Sequence, residues 1–122
     1  MSGTVKPATT YPALVGRVLK ELRERHGFDQ AALAAAAGVT QPTWSRVERG
    51  DIPINIEQLA LASHALEVTP GYVLKLADRS AENAREQGIE VRLTRTATGN
   101  DGLVLVGAAA VALLVLAALS KK

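Results

Sequence analysis

Apolar positions recur at helical spacing from residue 15 to residue 77, then give way to two different patterns. Val15, Val18, Leu19 and Leu22 stand at i, i+3, i+4 and i+7, the stripe of one helix face, with Lys20, Glu21, Arg23, Glu24 and Arg25 on the others. Gly27 ends this helix, because glycine takes the left-handed conformation after a last turn at little cost. Asp29 caps a short second helix over 30–37, almost all alanine and leucine, whose small side chains let another helix approach closely. Gly38 stops it, Val39 is an apolar turn residue, and Thr40 caps a third helix. Pro42 falls in that helix's first turn, where a missing N–H costs nothing. Trp44 and Val47, three apart, face inward and leave Gln41, Thr43, Ser45, Arg46 and Arg49 for other faces, before Gly50 closes the helix. Asn55 caps a fourth helix, with Gln58 three residues on as in a capping box, and its stripe is Ile56, Leu59, Ala62 or Ser63, and Leu66. Thr69-Pro70 opens a fifth, carrying Tyr72, Val73, Leu76 and Ala77 and running to about Gln87 before Gly88.

The flanks read differently. Residues 1–11 form a short, polar, Pro-containing arm that is expected to be flexible, without the layout of a secretory signal. Residues 12–87 are the helical domain, 88–102 a strand and linker, and 103–120 an apolar helix. Within the third segment, 89–95 alternates apolar and polar as a short strand; a lone strand needs a partner, such as the same strand of a second subunit. Residues 96–102 are small, polar and glycine-containing, a linker. Residues 103–119 read LVLVGAAAVALLVLAAL with no polar side chain. As a helix this run would be about 25 Å long against a hydrocarbon core of ~30 Å, with Lys121 and Lys122 snorkelling to the headgroups. A single membrane span is the expectation, because burying a helix that is apolar on every face is hard in a chain this small. The competing expectation is an Ala-rich helix that oligomerises or packs on a partner.

Composition removes most chemistry. Cysteine is absent, and His26 and His64 have no cluster of carboxylates around them, so no metal site is expected. No Ser/His/Asp set or glycine-rich phosphate loop is present either; neither catalysis nor a cofactor is expected. Net charge is +2, and through Arg79 nine basic residues face eight acidic ones. Bulk charge therefore does not announce a nucleic-acid partner; only the placement of charges can argue for one.

That placement centres on two short helices joined through Ala37-Gly38-Val39-Thr40, the layout of a helix-turn-helix. In such a pair the first helix braces on the phosphate backbone and the second lies in the major groove. Gln30, Leu33-Ala34, Gly38, Glu48-Arg49-Gly50 and the run LALASHAL over 59–66 together resemble the Cro/CI-type (XRE) family of phage and bacterial regulators, over roughly residues 14–78. The resemblance implies an all-α fold: a five-helix Cro/CI-type domain, followed here by the short strand and the apolar, transmembrane C-terminal helix. It also implies a homodimer on a palindromic operator in double-stranded DNA. By match of position Gln30 would contact a phosphate, Gln41 and Arg46 would read bases, and Thr43 and Ser45 would lie near phosphates or the groove floor, with Thr40 and Arg49 completing the DNA-binding set. Gln suits adenine and Arg guanine as bidentate partners. Gly38 and Trp44 would be structural, and Glu48 would pair with Arg23 to fix the third helix to the first. Pro42 stands where many relatives place a second polar reader, which implies fewer base contacts.

Plainer roles compete for some of these residues. Arg46 and Arg49 can be solvated helix charges, while Trp44 and Tyr72 read as core and His64 as a partly buried packing residue. The leading expectation is a transcriptional regulator, a repressor that occludes a promoter, with a cytoplasmic head tethered to the inner membrane by 103–119. The second is a membrane-bound interaction module with the layout of the RodZ-type cell-shape proteins, whose head docks on a protein filament.

Overall fold

The computed structural model describes residues 6–94 and 103–120. Residues 1–5, the linker over 96–102 with Arg95, and the terminal lysines lie outside the described residues. The elements in chain order are β1 (Lys6–Thr10), α1 (Tyr11–His26), α2 (Gln30–Ala37), α3 (Gln41–Arg49), α4 (Ile56–Ala65), α5 (Pro70–Glu86), β2 (Glu90–Arg92), β3 (Leu103–Leu105) and α6 (Ala108–Ser120).

Local chemistry sets the helix ends. The side chains of Thr10, Asp29, Thr40, Asn55 and Thr69 each accept from a backbone N–H three residues on, and Asn55 with Gln58 completes a reciprocal capping box. Gly38 and Gly50 close α2 and α3 at φ of 77° and 79°, a conformation strained for any residue with a Cβ. The core gathers one face from every helix: Leu14, Val18 and Leu19 of α1, Leu33 of α2, Trp44 and Val47 of α3, Leu59 and Ala62 of α4, Val73, Leu76 and Ala77 of α5. At Gly16 of α1 a Cβ would collide with the Val47 carbonyl, so the absent side chain lets α3 cross directly on the α1 backbone.

Three expectations are corrected here. The N-terminal arm is not loose over Lys6–Thr10. It is the middle strand of a three-stranded parallel sheet ordered β2-β1-β3, and Ala8, Thr9 and Thr10 are buried. The strand after α5 is shorter than expected, and its partner lies in the same chain: Ala8 faces Glu90, Thr9 faces Val91 and Thr10 faces Arg92. On the other side Lys6, Pro7 and Ala8 face Leu103, Val104 and Leu105, and the Val106 N–H donates to the Ala8 carbonyl at 2.7 Å. β1 runs directly into α1 and β3 reaches α6 after two residues, so the parallel pairing brings those two helices side by side.

The third correction concerns the apolar run. It divides into β3, a break at Val106-Gly107, and a helix of 13 residues, about 20 Å long and well short of a ~30 Å hydrocarbon core. Among the described residues no helix is long and apolar enough to cross a membrane. α6 packs on α1 and α5 instead, burying Val111, Leu114, Val115 and Ala118, an i, i+3, i+4, i+7 stripe. The Asn83 Nδ2 donates to the Leu114 carbonyl at 3.0 Å in the buried α5–α6 seam. The membrane tether and the RodZ-type layout, which needs a span, lose their basis. Smaller departures are that Tyr72, His64 and Ile56 face solvent: their helix stripes are narrower than the apolar pattern implied.

Candidate nucleic-acid interface

α2 and α3 meet through the Gly38 turn, with Leu33, Ala34 and Ala37 packed against the inner face that carries Trp44 and Val47. The consequence is that α3 turns Gln41, Pro42 and Arg46 outward, all exposed, while Thr43 and Ser45 are half-buried beside them. A polar network beneath this surface fixes it. Glu48, buried on α3, accepts from Arg23 Nε at 2.7 Å and Arg23 Nη2 at 3.1 Å, both from α1. It also accepts from Trp44 Nε1 at 2.7 Å and from Gln30 Nε2 of α2 at 2.8 Å. Arg23 spends a further N–H on the Phe28 carbonyl at 2.9 Å. Buried carboxylates are expensive unless their lone pairs are filled, and four donors fill these. The hydrogen bond to Glu48, opposed by burial and aided by the carboxylate's charge, raises the Arg23 guanidinium above its ordinary range, so it stays charged.

The network continues to the surface. Gln41 Nε2 donates to Gln30 Oε1 at 2.8 Å, which joins the first residues of α2 and α3. Arg23, Glu48, Gln30 and Gln41 thus form one chain of hydrogen bonds from α1 to the exposed end of α3. Thr40 caps α3 and donates to the Thr43 hydroxyl at 3.0 Å. Arg49 is tied down at the other end: its Nη1 donates to Ser45 Oγ at 2.7 Å and its Nε pairs with Asp51 at 3.0 Å. Arg46 is exposed, with no ion-pair partner among the described residues. The structure therefore links Gln30 to Gln41 and Thr40 to Thr43 at the start of α3, leaves Arg46 exposed further along it, and gives Ser45 and Arg49 to each other.

Sequence reasoning missed two members of this arrangement. The Trp44 indole N–H on Glu48 was open to discovery, since the two are i and i+4 on one helix and their side chains must meet. The Gln30–Gln41 bond had no such signal: only the angle between α2 and α3 brings those residues together.

Comparison with known proteins agrees with this geometry. The helix-turn-helix domain family model matches residues 14–76, just over half of the chain. Two crystal structures of the clp gene regulator ClgR from Corynebacterium glutamicum are similar. One is 30% identical with a TM-score of 0.61, covering 63% of this chain and 82% of that one. The other is 31% identical with a TM-score of 0.53, covering 56% and 88%. A protein of Pyrococcus abyssi, whose name describes an HTH-type transcriptional regulatory protein, is 38% identical over 47 residues, which are 38% of this chain and 15% of that one. This chain thus spans only a small part of that relative's length. The family match covers α1 to the middle of α5, with the Gly38 turn and the Glu48 network inside it, and the chain belongs to the helix-turn-helix domain family in its Cro/CI (XRE) form.

Proposed function

We propose that this protein is a sequence-specific DNA-binding regulator of transcription. The observation that carries this reading is the outward face of α3, where Gln41 and Arg46 are exposed on a helix braced from below by the buried Glu48. A braced helix loses little freedom on entering a groove, so its contacts are not offset by ordering cost. α3 lies in the major groove; Gln41 and Arg46 meet base edges, and Gln30, Thr40 and Thr43 meet the adjoining backbone. Ser45 and Arg49 lie at the margin of the contact, where Asp51 moderates the arginine's charge. Pro42 offers no donor beside Gln41, so the readout rests on few bases.

Two copies bind together, because a palindromic operator repeats the half-site about one helical turn, ~34 Å, away. Occlusion of a promoter, and hence repression, is the simplest consequence. Its place of work is the cytoplasm, where the DNA lies. The test is selection of binding sites from randomised duplex DNA by the full-length protein. The expected result is an enriched palindrome whose affinity falls steeply as salt rises, through release of counterions from the phosphates. A folded protein that enriches nothing at low salt, alone or joined to a dimerising coiled coil, would overturn the reading.

A further inference from the structure

The C-terminal segment does more than complete the core. Where β3 passes into α6 it stands beside the outer face of α1 and the C-terminal half of α3, and together they enclose an open cleft of about 690 Å³. Small-molecule sites fall in the range of roughly 300–1,000 Å³. One wall is cationic, with Arg17 and Lys20 a turn apart on α1 and Arg46 on α3. The other is apolar, with Leu105, Val106 and Val111. The carboxylates nearby are committed elsewhere: Glu48 to Arg23, Trp44 and Gln30, Asp51 to Arg49, and Glu21 to Arg17. Lys20 and Arg46 have no ion-pair partner among the described residues, so positive charge is in excess against a hydrocarbon wall. That wall comes from outside residues 14–76, so the cleft is not a property of the helix-turn-helix unit alone.

We propose that this cleft binds a small amphipathic monoanion, a carboxylate whose head sits between Lys20 and Arg46, beside the Glu21-paired Arg17, and whose hydrocarbon body lies on Leu105, Val106 and Val111. The low-polarity wall strengthens the attraction between the charges, and the cations give the apolar body a fixed orientation. Arg46 is also the proposed base reader, so an occupant and DNA compete for one guanidinium. That coupling rests on the DNA-binding reading, whereas occupancy of the cleft does not.

The experiment titrates octanoate, octanol and acetate into the full-length protein without DNA, by calorimetry and by fluorescence. Trp44 is the chain's only tryptophan and donates to Glu48 at the cleft's edge, which makes it a local reporter. Octanoate is expected to saturate with a Kd of about 1 mM or lower, and octanol and acetate to bind at least about tenfold more weakly. Lys20→Glu and Leu105→Asp change side chains that are half-buried and exposed, so both variants should melt as the parent does. Each is expected to weaken octanoate by about tenfold or more. Octanoate that fails to saturate, octanol that binds equally well, or variants that bind octanoate unchanged would each overturn the proposal. With no DNA in the assay, these outcomes are independent of whether an operator is found.

Discussion

A carboxylate buried under a helix is costly to strip of water, and Glu48 is kept there by donors from α1, α2 and α3 at 2.7–3.1 Å. Truncating it leaves the buried Arg23 charge with only the exposed Glu24 carboxylate at 3.8 Å, close to the case in which breaking a buried pair is most expensive. Glu48→Ala is expected to cost about 3 kcal/mol and to lower Tm by on the order of 10 °C in a calorimetric melt. The exposed Arg49–Asp51 pair has similar geometry and a different fate: Arg49→Ala should cost less than about 1 kcal/mol, because solvent screens both charges. Tyr11 gives a prediction with a pH sign. Its hydroxyl donates to Asp78 at 2.7 Å, and burial first, then this bond and the carboxylate charge, push the phenol well above its ordinary value near 10. Below pH 10 the hydroxyl is protonated in the folded and the unfolded chain alike, and the bond's contribution is intact. Above pH 10 the unfolded chain ionises first and that contribution is lost progressively up to the raised folded value. Tyr11→Phe should therefore be less stable than the parent at pH 8 by about 1 kcal/mol in urea unfolding, with the gap narrowing above pH 10.

At the scale of elements, what was legible in the sequence was what local chemistry decides. α2, α3, α4 and α5 start after Asp29, Thr40, Asn55 and Thr69, because a cap acts within three residues of itself. β1 was illegible, since its pairing depends on strands more than 80 and 90 residues further on, and nothing in KPATT alternates. α6 misled for the opposite reason. Its buried stripe has a helical period, but Ala109, Leu113, Leu116 and Ala117 on the exposed side are apolar too, so the period leaves no contrast to read. The docked helix can be tested as an element. Leu114→Ala removes a fully buried side chain from the seam and should cost about 3 kcal/mol. Hydrogen exchange should then quicken across 108–120, while the amides of α2 and α3 keep their protection, because α6 packs on α1 and α5. Uniform loss of protection in all six helices would show that α6 belongs to the same cooperative unit as α3.

For the whole molecule, the sequence showed a helix-turn-helix but not its setting. The Gly38 turn and the residues of α3 could be named from spacing, whereas the Gln30–Gln41 link and the wall that β3 and α6 raise beside Arg46 exist only once distant segments have packed. The net charge of +2 is too small to hold DNA by long-range attraction alone, so the proposed recognition rests on a few well-braced contacts. Under the proposed function Gln41 and Arg46 are then the decisive side chains. The most direct measurement is a base-by-base affinity profile of the selected operator for the full-length parent, Gln41→Ala and Arg46→Ala, with Lys75→Ala of α5 as the control. Each of the two α3 variants is expected to lose about 1–3 kcal/mol on the best site and to relax preference at one base pair per half-site, while the control keeps the parent profile. If Gln41→Ala and Arg46→Ala both retain the parent's profile and affinity, α3 does not read DNA and the central claim fails.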